Sequence, residues 1–195
     1  FKIKVSDNLD ENIARISLVK SLRPDSHVRI DVNGSWSVST ALEQLTEIYK
    51  HCGDIEYVEQ PCNSVNELRQ LKSELKAPIR IAADEIIRKA INPFEVDLND
   101  AADVVVLKVQ PLGGIERSIE IAEHFRLPVV VSSALESSVG LSYGVELAKC
   151  LPSLSFDCGL ATDNLFAGAG KDVAPERYEW WKNRIMRCAE ILDIA

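Results

Sequence analysis

Short apolar runs alternate with amphipathic stretches along the whole chain. The runs cover residues 1–5, 28–32, 55–59, 79–83, 103–109, 128–132 and 154–158. They are rich in Val and Ile and mostly uninterrupted, which suits parallel strands covered on both faces. The stretches between them carry helical spacing. Residues 10–22 place Ile13, Ile16, Val19 and Leu22 along one side, with Asp7 or Asp10 as the cap. Residues 37–51 do the same with Leu42, Leu45, Ile48 and Tyr49, and Gly53 ends the run. Residues 64–75 open on Ser64 and Glu67, a capping-box spacing. Further helices are predicted over 114–125, 139–151 and 175–192, the last containing Trp180 and Trp181, with a short helix at 92–98.

Strand and helix thus repeat at a period near 25 residues, the mark of parallel βαβ units. Two architectures share that pattern, a doubly wound open sheet and a closed barrel. The charged residues decide between them. Lys4, Asp31, Glu59, Asp84 and Lys108 each stand at the C-terminal end of a successive apolar run, 27, 28, 25 and 24 residues apart. An open sheet gathers its functional groups at one switch point. A barrel brings the ends of every strand around one centre. The prediction is an α/β fold, a (β/α) TIM-type barrel.

The bulk numbers agree with one soluble domain over 1–195. The chain has 46% hydrophobic and 27% charged residues. A net charge of −8 without a Lys/Arg block argues against nucleic acid. No apolar stretch approaches the roughly 20 residues that cross a bilayer. The five cysteines, Cys52, Cys62, Cys150, Cys158 and Cys188, show no paired or zinc spacing and read as reduced thiols of a cytoplasmic protein. The three histidines, the Gly113-Gly114 pair, Glu56, Asp97 and Asp103 read as structural or surface groups. Glu85 reads as a hydrogen-bond partner of the site.

Asp31, Glu59 and Asp84 are hard oxygen donors suited to Mg²⁺, with Mn²⁺ as a substitute, and no His or Cys accompanies them. Lys4 and Lys108 would flank the ion, one strand to either side. A lysine beside a divalent cation can serve as a general base, and the cation offsets charge on a carboxylate as the neighbouring carbon loses its proton. The constellation suits proton abstraction α to the carboxylate of a small-molecule substrate.

These residues resemble the enolase superfamily in its muconate-lactonizing subgroup. The matching motifs are Lys2-Ile3-Lys4, Asp31-Val32-Asn33, Glu59-Gln60-Pro61, Asp84-Glu85 and Lys108. The stretches Ser132 to Leu141 and Cys158 to Thr162 resemble, more narrowly, the o-succinylbenzoate synthase family of actinobacterial type. The resemblance implies that the first barrel strand and an N-terminal capping domain are missing from this chain. It implies a syn dehydration in menaquinone synthesis, with Lys4 as base and Lys108 as a cationic partner. Lys2, Asn33, Ser132 and Ser133 would contact the substrate or brace its neighbours. Racemization of N-succinylamino acids and epimerization of dipeptides are the related alternatives. The dipeptide reaction is disfavoured, since Asp157-Cys158-Gly159 lacks the second Asp of that group's Asp-x-Asp. An inactive barrel fragment is the alternative of another kind. The resemblance says nothing of oligomeric state.

Overall fold

The computed structural model describes residues 1–162 of the chain. Six parallel strands run in sequence order, β1 (Lys2–Lys4), β2 (Arg29–Asp31), β3 (Tyr57–Glu59), β4 (Arg80–Ala83), β5 (Val104–Leu107) and β6 (Val129–Val131). The order β1-β2-β3-β4-β5-β6 makes a half-barrel in which each strand neighbours the next. Helices α1 (Leu9–Leu22), α2 (Val38–Cys52), α3 (Val65–Glu74), α6 (Ile115–Phe125) and α7 (Ser138–Cys150) follow the strands. Two one-turn helices, α4 (Glu85–Arg88) and α5 (Val109–Leu112), follow β4 and β5 directly, and neither was predicted. The predicted helix at 92–98 is a 3₁₀ turn over Pro93–Glu95. The predicted terminal helix with Trp180 and Trp181 lies outside the described residues. Among the described residues, no helix is long and apolar enough to cross a membrane.

Alternation along each strand sorts the side chains. Ile30, Val58, Ile81, Val105 and Val131 point outward and pack under the helices. Ala41, Leu45 and Ile48 of α2 and Leu68 and Leu71 of α3 are fully buried on that outer layer. Each such leucine or isoleucine stabilises the fold by roughly 1.5–3 kcal/mol. Tyr57, Ala82, Val104, Val106 and Val130 form a separate inner cluster against Phe156. That inner cluster is the floor on which the charged strand ends rest.

The helices start where the sequence placed them. Ser64 and Glu67 form the expected capping box. Ser37 caps α2, and Gly53 ends it at φ +70°. At α1 the cap is Asn8, which accepts from the Glu11 N–H at 3.2 Å, in place of Asp7 or Asp10. Gly113 and Gly114 adopt φ of +95° and +119°, the tight turn that lets α6 begin directly after α5.

The expected strand at 154–158 is absent. Pairing with β6 is reduced to a bridge between Ser132 and Gly159, with Gly159 N–H donating to the Val131 carbonyl at 2.8 Å. The carbonyl of Asp157, which a strand would spend on a neighbouring strand, accepts instead from Arg29 Nη1 at 2.7 Å. Glu56 is likewise no surface group, because it pairs with the buried Arg29 guanidinium, which also lies 5.0 Å from the Tyr57 ring centre.

Candidate active site

Register determines which strand ends meet. Lys4 pairs with Asp31, Asp31 with Glu59, and Glu59 with Ala82, so the first three charges share one level. Asp84 stands two residues beyond Ala82, and Lys108 directly follows β5. The row climbs along the strands as it crosses the sheet, as the stagger of a barrel requires. All five predicted residues therefore reach one face of the half-barrel at the strands' C-terminal ends.

The carboxylates are deep. Asp31 is 1% exposed, and Glu59 and Asp84 are wholly buried. Ammonium groups lie between them. Lys2 Nζ is 3.1 Å from both Asp31 Oδ2 and Glu59 Oε2. Lys108 Nζ is 2.5 Å from Asp84 Oδ2 and 3.6 Å from Glu59 Oε1. Lys4 Nζ donates to Asp31 Oδ2 at 2.6 Å and to Asn33 Oδ1 at 2.5 Å. The result is an alternating row, Asp31–Lys2–Glu59–Lys108–Asp84, with Lys4 at its open end. Lys2, expected at the substrate, takes a bridging place in the row.

Burial and mutual repulsion tune these groups. Burial, with the charges of Asp31 and Asp84, pushes the Glu59 carboxyl up to about 7 against the pull of Lys2 and Lys108. Burial and Glu85 likewise raise Asp84, against Lys108 and Arg88. Burial works against Asp31 too, but Lys2 and Lys4 outweigh it and hold that carboxyl below the usual range. Burial disfavours the Lys2 ammonium, yet Glu59 and Asp31 more than restore it and raise its pKa.

Second contacts fix the acids in place. Gln60 is fully buried, and its Oε1 accepts the Asp84 and Ile86 N–H groups at 3.0 and 3.3 Å. Arg88 Nε donates to Asp84 Oδ1 at 3.1 Å, and Arg88 Nη2 to Glu85 Oε1 at 2.6 Å. Gln60 and Arg88 escaped the sequence reading as supports. Gln60 was visible only as part of a motif. Arg88 sits at i+4 from Asp84 on a helix too short to show periodicity.

A cavity of about 700 Å³ opens beside the row. Lys2, Lys4, Arg88 and Lys108 line it on one side and Ser132, Ser133 and Thr162 on the other. Ser132 and Ser133 thus both face this cavity. The Ser133 hydroxyl is engaged by Glu136 and Thr162 at 2.7 and 2.8 Å. A second cavity, of about 570 Å³, lies around residues 94–103 and holds none of the predicted residues.

The donor set is that of a hard divalent cation, three buried carboxylates with neither thiol nor imidazole. Burial raises Glu59 and Asp84, and a divalent ion held between them would favour their ionised forms. Among the described residues, no three acidic, imidazole or thiol groups stand gathered as a ready cage. Lys2 and Lys108 occupy the gaps between the acids.

The family described as enolase C-terminal domain-like matches residues 1–186. The chain belongs to this family. Enolase-superfamily sites use a Lys or His base with one or two Mg²⁺ ions. This enolase-type chain is 49% identical over 165 residues to an o-succinylbenzoate synthase of Thermobifida fusca, a match covering 83% of the chain and 51% of the relative. It is 39% identical over 219 residues to an o-succinylbenzoate synthase of Mycobacterium ulcerans, covering 98% of the chain and 65% of the relative. The chain therefore spans about half to two thirds of the length of these curated relatives. Among solved structures, the muconate lactonizing enzyme from Pseudomonas putida superposes with a TM-score of 0.72 at 26% identity, over 86% of this chain and 48% of that one. The L-Ala-D/L-Glu epimerase from Bacillus subtilis superposes at 0.74 with 22% identity, over 86% and 48%, a likeness of fold alone.

Proposed function

We propose that this chain carries the catalytic barrel of an o-succinylbenzoate synthase. The reaction is syn dehydration of 2-succinyl-6-hydroxy-2,4-cyclohexadiene-1-carboxylate to 2-succinylbenzoate, a step of menaquinone synthesis. The observation that carries the reading is a buried carboxylate row with Lys4 at its open end and Lys108 between Glu59 and Asp84. Likeness to relatives of that name supports the choice of substrate.

In this reading Lys4, in its neutral form, takes the proton from the ring carbon bearing the carboxylate. It is suited to do so because its side chain is 61% exposed toward the cavity. The C–H electron pair passes into the carboxylate as an enediolate. Lys108, between Glu59 and Asp84, is the cationic partner of that negative charge. Collapse of the enediolate expels the ring hydroxyl, which leaves as water with the proton returned by Lys4. The ring becomes aromatic, so elimination runs downhill. Bound at Asp31, Glu59 and Asp84, Mg²⁺ or Mn²⁺ would hold the substrate carboxylate and offset its growing charge. Lys2 would leave its bridging place to line the substrate side with Asn33, Ser132 and Ser133. Length that the relatives possess and the described residues do not would close the barrel and cap the cavity.

The two-lysine symmetry also suits racemization, with one base on each face of a stereocentre. One assay separates the readings. The protein is offered the cyclohexadiene substrate and an N-succinylamino acid side by side with Mg²⁺. Dehydration lost in EDTA and restored by Mg²⁺ is expected. Turnover of the succinylamino acid alone, or dehydration indifferent to EDTA, would overturn the proposal.

A further inference from the structure

One carboxylate of the site touches neither lysine yet connects to both. Glu85 Oε1 accepts from Asn33 Nδ2 at 3.0 Å, and Asn33 Oδ1 accepts from Lys4 Nζ at 2.5 Å. On its other side Glu85 Oε1 accepts from Arg88 Nη2 at 2.6 Å, and Arg88 Nε donates to Asp84 Oδ1 at 3.1 Å. Asp84 Oδ2 then accepts from Lys108 at 2.5 Å. The path Lys4–Asn33–Glu85–Arg88–Asp84–Lys108 arches over the carboxylate row, from β1 to the end of β5, without passing through Glu59.

We propose that Glu85 is a positioning residue that sets the placement of Lys4 relative to Lys108 through this arch. The inference rests on the two-lysine reading of the site. Three observations carry it. The first is the polarity of Asn33. An ionised Glu85 can only accept, so it fixes Nδ2 toward itself and Oδ1 toward Lys4. Without Glu85 the amide is free to turn and offer its N–H₂ to the ammonium, which repels it. The second is the backbone at Asn33, held at φ +56°, a conformation that Asn tolerates better than most residues and that brings its amide over the site. The third is the other oxygen of Glu85. Oε2 is buried without a hydrogen-bond partner. A buried unpaired oxygen costs stability. A residue chosen only to fill space at a 5% exposed position would avoid that cost.

The arch matters most for Lys4. Among the described residues its side-chain partners are Asp31 and Asn33. When Asp31 is engaged with another cation, Asn33 is the remaining hold, among the described residues, on a side chain that is 61% exposed. Arg88, by contrast, anchors Asp84 from the side opposite Lys108.

The test uses Glu85→Leu, Glu85→Gln, Asn33→Gly and the Glu85→Leu/Asn33→Gly double variant of the full chain. Asn33→Gly keeps the positive φ, and Asn33 is exposed, so folding is spared. Two readouts are taken, dehydration kinetics with Mg²⁺ and the rate of reductive methylation of Lys4, followed by peptide mapping with Lys108 as reference. Glu85→Leu is expected to lower kcat by about 10–100-fold with KM little changed, and Asn33→Gly to lower kcat as far. The double variant should be no worse than either single one, because both cut one path. Glu85→Gln keeps an acceptor oxygen and should recover most of kcat. Lys4 should methylate several-fold faster in both single variants, while Lys108 does not change. Multiplying losses in the double variant, or unchanged methylation of Lys4, would overturn the proposal. If Glu85→Leu does not fold, Asn33→Gly decides on both readouts. If wild-type protein does not dehydrate the substrate, the functional reading falls, and the methylation rates still decide the arch.

Discussion

The two lysines of the proposed reaction differ sharply in what they do for the fold, and substitution of each should expose that difference. Lys108 is buried, its ammonium 2.5 Å from one wholly buried carboxylate and 3.6 Å from another. Lys108→Ala leaves Asp84 with Arg88 alone and Glu59 with Lys2 alone, both acids wholly buried. Breaking a buried pair from one side costs about 3–5 kcal/mol. For a chain of 195 residues that is a fall in Tm of roughly 10 °C. Lys4 pairs with Asp31 from a side chain that is 61% exposed. Solvent screens that pair, so Lys4→Ala costs about 1 kcal/mol or less, and Asp31 keeps Lys2. Differential scanning calorimetry in EDTA reads both variants, beside a turnover assay with Mg²⁺. Both should be inactive, but only Lys108→Ala should melt early. Equal melting temperatures for the two variants, or an early melt for Lys4→Ala alone, would refute the assignment of buried and exposed roles.

Three further outcomes follow from the supports of the site. Gln60→Leu removes the acceptor for the Asp84 and Ile86 N–H groups and should lower urea stability by about 2–4 kcal/mol, a loss well under 1 kcal/mol contradicting the role. Gly140→Ala drives a methyl group against Glu136 Cβ and within 3.1 Å of Gln110 Nε2. It should cost about 1–3 kcal/mol in thermal melts, whereas a neutral result would mean that Glu136 yields freely. Burial pushes the Cys62 thiol up to about 11. Its contribution to stability is whole below an unfolded value of about 8.5 and fades as pH rises through the folded one. At pH 8, alkylation should therefore mark the exposed Cys150 first and reach Cys62 only in denaturant. Matching rates at the two thiols would count against that burial.

The strands and the five charged residues were legible because two simple periods overlap. Apolar runs announced the buried strands, and a charge at each run's end announced the rim. What the sequence could not carry was register. Lys2 and Lys4 both point inward, and nothing in the order of residues tells which one bridges Asp31 to Glu59. Only pairing of Lys4 with Asp31 and of Asp31 with Glu59 settles it. The stretch 154–158 misled for a related reason. Leu154 and Phe156 have strand spacing, but Leu154 is exposed and Phe156 packs edge-on against Tyr57 inside the half-barrel. Glu56 reads as a surface charge because it stands at the start of an apolar run, yet it meets the buried Arg29 inside the arc. Arg88 belongs to a single helical turn, which is too short to leave a pattern.

The strict alternation of inward and outward residues also says where this chain can change length. An added residue between α1 and β2, or between α3 and β4, lies at the end of the sheet away from the chemistry and can be absorbed as slack. An added residue inside Arg29–Asp31 or Tyr57–Glu59 cannot. It would turn a buried acid out toward the helices and bring a branched apolar side chain to the rim in its place. The three-residue strands at the heart of the site are thus its least editable text, and the helix-to-strand connections are where added residues do the least harm.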